Sequence, residues 1–389
     1  MRVQWWVSVV AFLLGCSGTD DADTADGSDQ ARPPDATDNA AAEMPGEGGE
    51  EPGVDADVPE DVPELDAPPV DGGADGADAD DGSAVEVGVG PRIAEFTPSG
   101  PVVLVSGMTV SGLHITNPDG PCIHGDHVTD VHIADNRIGP CGPSAEGVGV
   151  NLYVAHRVRI DHNAFDDVAS ALYVNGEGAG DEIVFDHNLA TRIRGPMPRG
   201  QLVQFDKVHG SGNRVLCNVS DQTTPGYLAG PEDHVNIFSS SGTAASPIEI
   251  AYNKVRGGGP SDSGGGLLAG DNDSAYVFIH DNILISPGQY GLAIAGGHHF
   301  RYLDNRIYSP DAFAWSNVGC YVWNQTDSAP CYGHEVRGNR VFYVNREGTE
   351  NHAWNAGNCG EVAGWDTDNV WGDPTLSAAM WDETFAACE

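Results

Sequence analysis

One short phrase recurs along this chain and narrows its folding options more than any other feature: apolar, any residue, apolar, two residues, then asparagine. It reads Val131-His132-Ile133-Ala134-Asp135-Asn136, then Val158-Arg159-Ile160-Asp161-His162-Asn163. It returns before Asn188, Asn253, Asn282 and Asn305, and more loosely before Asn218 and Asn339, so that successive asparagines lie 23 to 35 residues apart. A unit of that length cannot bury its own apolar face, so neighbouring copies must stack. Apolar residues alternate over short stretches, which gives strands and not helices. A second strand precedes most copies, as in Leu172-Tyr173-Val174, Val203-Gln204-Phe205, Val235-Asn236-Ile237 and Leu292-Ala293-Ile294. Asparagine suits the bend that follows, because it tolerates left-handed backbone and can hydrogen-bond to the asparagine of the next copy.

Short strands joined by tight Gly and Asn turns describe a parallel coil, and 51 Gly with 25 Pro suit so many turns. Over about 91–372 the pattern resembles the right-handed parallel β-helix proteins, the pectin-lyase-like group. The resemblance implies an all-β, single-stranded right-handed parallel β-helix solenoid, rising about 4.8 Å per coil. Open coil ends would pair with other chains, so both need covers. Asp373-Pro374 is a good N-cap and first-turn pair, and Trp381, Phe385 and Cys388 fall on one helical stripe. A short capping helix over 374–387 is therefore expected, within a C-terminal cap of 373–389.

The N-terminus reads as an export signal. Residues 1–15 hold Arg2 and an apolar run from Trp5 to Leu14, about half the length that spans a bilayer. Leu13-Leu14-Gly15-Cys16 resembles the lipobox of bacterial lipoproteins, which implies cleavage before Cys16 and lipidation of its thiol. Ser17 after the cysteine then implies an outer-membrane or cell-surface destination. Residues 17–90 hold 23 Asp and Glu against one basic residue, Arg32. A segment of that composition buries too little apolar surface to offset its chain entropy, so 16–90 is expected to be a disordered acidic tether. The whole chain carries a formal charge of −40, which repels phosphate backbones and excludes nucleic-acid binding. A monomer is expected.

Export implies an oxidising compartment. With Cys16 set aside, the expected disulfide cysteines are Cys122 with Cys141, Cys320 with Cys331, and Cys359 with Cys388, leaving Cys217 as a buried apolar side chain.

Side chains at equivalent strand positions stack into columns on such a coil. Aligning inward Val174, Phe205, Ile237, Ala269, Ile294 and Val322 leaves an outward face rich in polar and aromatic groups. Tyr173, Asn175, Asn236, Trp323 and Asn324 are its candidate polysaccharide contacts. Some β-helix polysaccharide lyases pair a Lys or Arg base with carboxylate-held Ca2+, which acidifies a uronate C–H. That resemblance implies Lys207 as base and Asp206, Asp233 and Asp271 as calcium ligands. Lys207 and Lys254 are the only lysines, and a plain Lys–Asp surface pair is the simpler account of Lys207. His298-His299 after Gly296-Gly297 is similar to the Gly-His-Gly segment of β-helix galacturonidases, which implies a catalytic role for the pair, although a turn position shared with His156 and Arg157 explains them equally well. The expected function is binding or cleavage of polysaccharide, with lyase chemistry ahead of hydrolysis. The alternative is a non-catalytic, glycan-binding or adhesive surface protein.

Overall fold

The computed structural model describes residues 88–224, 231–261, 263–326 and 330–389. The signal segment, Cys16 and the acidic stretch to residue 87 lie outside the described residues. The chain is a parallel β-helix. Each turn lays one strand on each of three walls, as in Leu172–Ala179, Asp181–Asp186 and Leu189–Ile193, followed by Val203–Val208, Arg214–Leu216 and Val219–Asp221. The third wall is a parallel sheet of 11 strands. The first and second walls form one sheet of 18 strands, because Ile123–Ala134 and Val150–Asp161 run through both.

The inward column is the one the alternation requires. Phe205 pairs with Val174 and Ile237, Ile237 with Ala269, Ala269 with Ile294, and Ile294 with Val322. All six are fully buried in the continuous apolar core.

The second and third walls meet at a corner that explains the asparagines. Asp135, His162, His187, Cys217, Tyr252, Asp281 and Asp304 all turn there with φ between 53° and 59°. Left-handed backbone costs most residues roughly 1–2 kcal/mol, so something must repay it. The next residue does. Asn163, fully buried, donates through Nδ2 to Ile133 O (2.9 Å) and Asp161 O (3.0 Å), and both its Nδ2 and its N–H donate to Asn188 Oδ1. The same bonds link Asn136, Asn163, Asn188, Asn218, Asn253, Asn282, Asn305, Asn339 and Asn369 in a continuous ladder. Buried backbone at the bend thus finds partners without water.

The C-terminal segment differs from expectation. It forms two short 3-10 turns, Ala378–Asp382 and Ala386–Cys388, in place of one helix over 374–387. It covers the side of the third wall and not the end of the coil. Asp373 pairs with Arg340, Glu383 with Arg306 (2.7 Å), and Leu376 and Met380 pack on Ile283. The carbonyls of Trp381 and Glu383 accept from Lys254 Nζ, and that of Cys388 accepts from His187 Nε2 (3.2 Å). A tail whose carbonyls face the wall in this way cannot close the i→i−4 bonds of an α-helix. The chain also meets the wall slightly earlier than expected: Gly90 N–H donates to His187 O (2.8 Å), so residues 88–90 pack beside the end of the tail.

Two disulfide expectations need correction. Cys122–Cys141 is present, but the other bonds are Cys217–Cys388 and Cys331–Cys359, and Cys320 is a buried free thiol. Cys320 points into the core from Val318–Val322, away from Cys331, which occupies a corner. Cys359 occupies the same corner one turn later, 28 residues on, and so stacks against Cys331. Cys217, expected to be unpaired, sits at the left-handed bend and receives the tail.

Candidate functional site

The outward face of the first wall carries the polar and aromatic groups. Its central column runs Tyr173, Gln204, Asn236, Leu268, Ala293, Tyr321 and Trp354 in consecutive turns. At one end the Tyr173 hydroxyl donates to Asp206 Oδ2 (2.8 Å), and the Arg199 guanidinium lies 3.5 Å from the Tyr173 ring centroid. At the other end Trp323 and Trp354 meet edge to face at 5.9 Å. Between them a second apolar cluster, Leu268, Tyr290, Ala293, Ala295, Val318 and Tyr321, packs outside the coil with Trp323 against it. A cleft of about 410 Å³ beside the column is lined by Arg194, Met197, Arg199, Glu232, Ser261 and Ser263, among others.

In the middle of this face are two carboxyl groups that share one amide. Asn236 Nδ2 donates to Asp233 Oδ2 (2.9 Å) and lies 3.4 Å from Asp271 Oδ2. Asp233 Oδ1 accepts from Gly265 N–H (3.0 Å) and from the Tyr290 hydroxyl. Asp233 is 4% exposed, and burial, with the Asp271 charge adding to it, pushes its carboxyl up to about 7 against the donors that favour ionisation. Burial also raises the Asp271 carboxyl. Asn236 Oδ1 is buried with no hydrogen-bond partner among the described residues. Burial and the Asp271 charge thus favour a neutral Asp233 below about pH 7.

The structure gathers some of the expected residues and separates others. Tyr173, Asp206, Asn236, Asp233, Asp271 and Trp323 share the face. Asn175 lies in the strand Leu172–Ala179 in register with Asp206, its Oδ1 accepting from Glu177 N–H (3.0 Å), whereas Asn324 follows the strand Val318–Val322 and its N–H donates to Asn358 Oδ1 (2.9 Å). Lys207 sits at the corner after the first wall with φ +54°, its side chain 54% exposed and its Nζ 3.8 Å from Asp206 Oδ1. His298 lies at that same corner, linked to His209 through bridges at Ser241 and Ala275. Three turns amount to roughly 14 Å, so Lys207 and the histidine pair do not meet.

The three carboxylates do not fit a calcium site. Asp206 and Asp271 both pair with Phe238 from opposite sides, which puts them two strands, roughly 10 Å, apart. Among the described residues no three carboxylates bring their oxygens within 4.8 Å of one another. Calcium takes six to eight oxygens and needs its carboxylates ionised, which the burial of Asp233 opposes.

Tyr290 and Arg199 are site residues that the sequence pattern missed. Tyr290 opens the strand Tyr290–Ile294, pairs with Val318 and reaches Asp233 across two turns, whereas Arg199 belongs to a loop outside the repeat columns. One register slip also escaped alignment: an extra residue at Gly270 places Asp271, not Gly270, opposite Phe238.

No family model matches the sequence, and no curated protein matches it. Among solved structures the chain is similar to an alginate lyase from Paenibacillus sp. str. FPU-7, at 14% identity and a TM-score of 0.41, over 64% of this chain and 89% of that one.

Proposed function

We propose that the protein binds an extended polysaccharide along the outward face of the first wall and acts on it through the Asp233–Asp271 pair. The observation that carries this reading is the placement of two carboxyl groups on one amide, between aromatic groups at either end of the face. Sugar rings present apolar faces that stack on aromatic side chains, and hydroxyls that pair with amides and carboxylates. A carboxyl near neutrality has the acidity a general acid or base requires. Asp271, half-buried, is the member of the pair that a sugar hydroxyl or glycosidic oxygen can reach; burial raises its own proton affinity, and its charge adds to the rise at Asp233 behind it.

The test is retention of the protein in gels containing neutral or uronate polysaccharides, together with product detection by reducing ends and by ultraviolet absorbance of unsaturated sugars. Retention and products that are both lost in Asp271→Asn support the reading. If no polysaccharide retards the protein, the face is not a glycan site. The burial of Asp233, whose oxygens already hold three donors, favours a second reading: binding without turnover. That reading predicts retention with no product.

Export and lipid anchoring at Cys16, at the outer membrane or cell surface, belong to the same proposal. Three disulfides in the described residues support an oxidising compartment. Incorporation of labelled fatty acid that is abolished by Cys16→Ala is the expected result, and a labelled Cys16→Ala protein would remove this part of the proposal.

A further inference from the structure

A second cluster of chemistry-bearing side chains lies away from the carboxyl pair, at the corner between the first and second walls. His298 and His299 face each other there, with their Nδ1 atoms 2.8 Å apart. Neighbouring residues in extended strand point to opposite sides. These two converge because Gly297, at φ +72°, and His299, at φ +58°, both take left-handed backbone. The backbone is held there by His298 N–H to Ser274 O (2.9 Å) and His299 N–H to Tyr332 O (3.1 Å). Each ring is also clamped. His298 stacks on Tyr332 at 5.2 Å and 11°, and His299 stacks on Tyr276 at 5.0 Å and 16°. His299 and Tyr332 are exposed, so the site is open to solvent.

We infer that His298 and His299 form a chelate for a late first-row divalent transition metal, Cu(II) above all, bound through their two Nδ1 atoms with water completing the coordination. Metal–imidazole bonds of about 2.1 Å meeting at about 90° separate the two nitrogens by about 3 Å, close to the spacing already present. In the metal-free pair one Nδ1 donates its proton to the other. On binding, each ring carries its proton at Nε2 and offers the Nδ1 lone pair, so two neutral imidazoles need shed no proton. Burial, followed by the neighbouring His299, lowers the proton affinity of His298, and Asp273 adds negative charge nearby. The stacked tyrosines have already fixed the ring orientations that binding would otherwise have to order. His334, behind the site, does not take part: it is 2% exposed, and its Nε2 lies 3.4 Å from Cys331 Sγ.

The experiment is calorimetric titration of Cu2+ into the full chain without a polyhistidine tag, with electron paramagnetic resonance to count coordinating nitrogens. Binding of one equivalent through two nitrogens is expected. His298→Ala and His299→Ala should each weaken it at least tenfold, whereas His209→Ala, three turns away at the same exposed corner, should leave it unchanged. Circular dichroism melting confirms that each variant is folded, and His299→Ala alters an exposed side chain. Equal affinity in the wild type and both histidine variants overturns the inference, as does loss of binding in His209→Ala.

Discussion

The Asp233 carboxyl makes a quantitative claim about stability. Its proton affinity is raised from the ordinary value of 3.8 to about 7 in the folded protein. Between these values the folded state holds a proton that the unfolded state has released. Stability must then fall as pH rises, by about 1.4 kcal/mol per pH unit. From pH 4 to pH 7 this amounts to about 4 kcal/mol, with no further loss above pH 7 because both states are then ionised. Asp233→Asn removes the ionisation and keeps the shape: its carbonyl can accept from Tyr290 and Gly265, and its amide can donate to Asn236 Oδ1 once that side chain turns over. The assay is urea denaturation of wild type and variant at intervals from pH 4 to pH 8. The stability of the variant minus that of the wild type should climb by about 4 kcal/mol and level off near pH 7. A difference that is flat across the range, or that falls with pH, would show that Asp233 is ionised in the folded protein and refute the neutral-acid reasoning.

Other outcomes can be stated as directly. Asn218→Ala strips donors or acceptors from buried Asn188 N–H and Phe185 O, at about 1–3 kcal/mol each, so a loss of about 2–6 kcal/mol is expected in urea midpoints. Asn369→Ala, on the last and partly exposed rung, should lose less because water can replace the amide. A Cys388→Ser protein should be destabilised by about 2–5 kcal/mol and its tail opened to proteases, and an undiminished thermal midpoint would contradict the strap geometry. Trp323→Ala should weaken retention in polysaccharide gels, while Lys207→Ala, whose ammonium lies 3.8 Å from Asp206 Oδ1 at the corner, should change retention by less than twofold.

The fold was legible because stacking forces identity at fixed positions. Ladder side chains must each donate and accept at the same place, so Asn136 to Asn339 stand out in the sequence. Asn369 was missed because Trp365-Asp366-Thr367 before it breaks the apolar alternation. Inward Phe205 and Ile237 align correctly because the pleat has period two, whereas Asp271 slipped by one residue because Gly270 adds a bulge that no pattern announces. The disulfides were harder to place. Which corner a cysteine occupies depends on loop lengths that vary between turns, and the tail that brings Cys388 to Cys217 crosses 171 residues of sequence separation. Asp206, Asp233 and Asp271 were visible as acidic residues near one face, but their spacing and burial, which decide between metal ligand and proton donor, follow from strand order and from Tyr290.

The meeting of the two ends of the described chain has one last consequence. A Cβ on Gly88 would sit 3.6 Å from the carbonyl oxygen of Cys388, and both segments rest on His187 at the corner between the second and third walls. A few glycines could bridge 88 to 388, and new termini could open at the exposed 144–146 loop without unpairing a strand. In such a circular permutant the turns would leave the ribosome in a different order and still stack in the same one. Chronology and architecture are thus independent properties of this molecule.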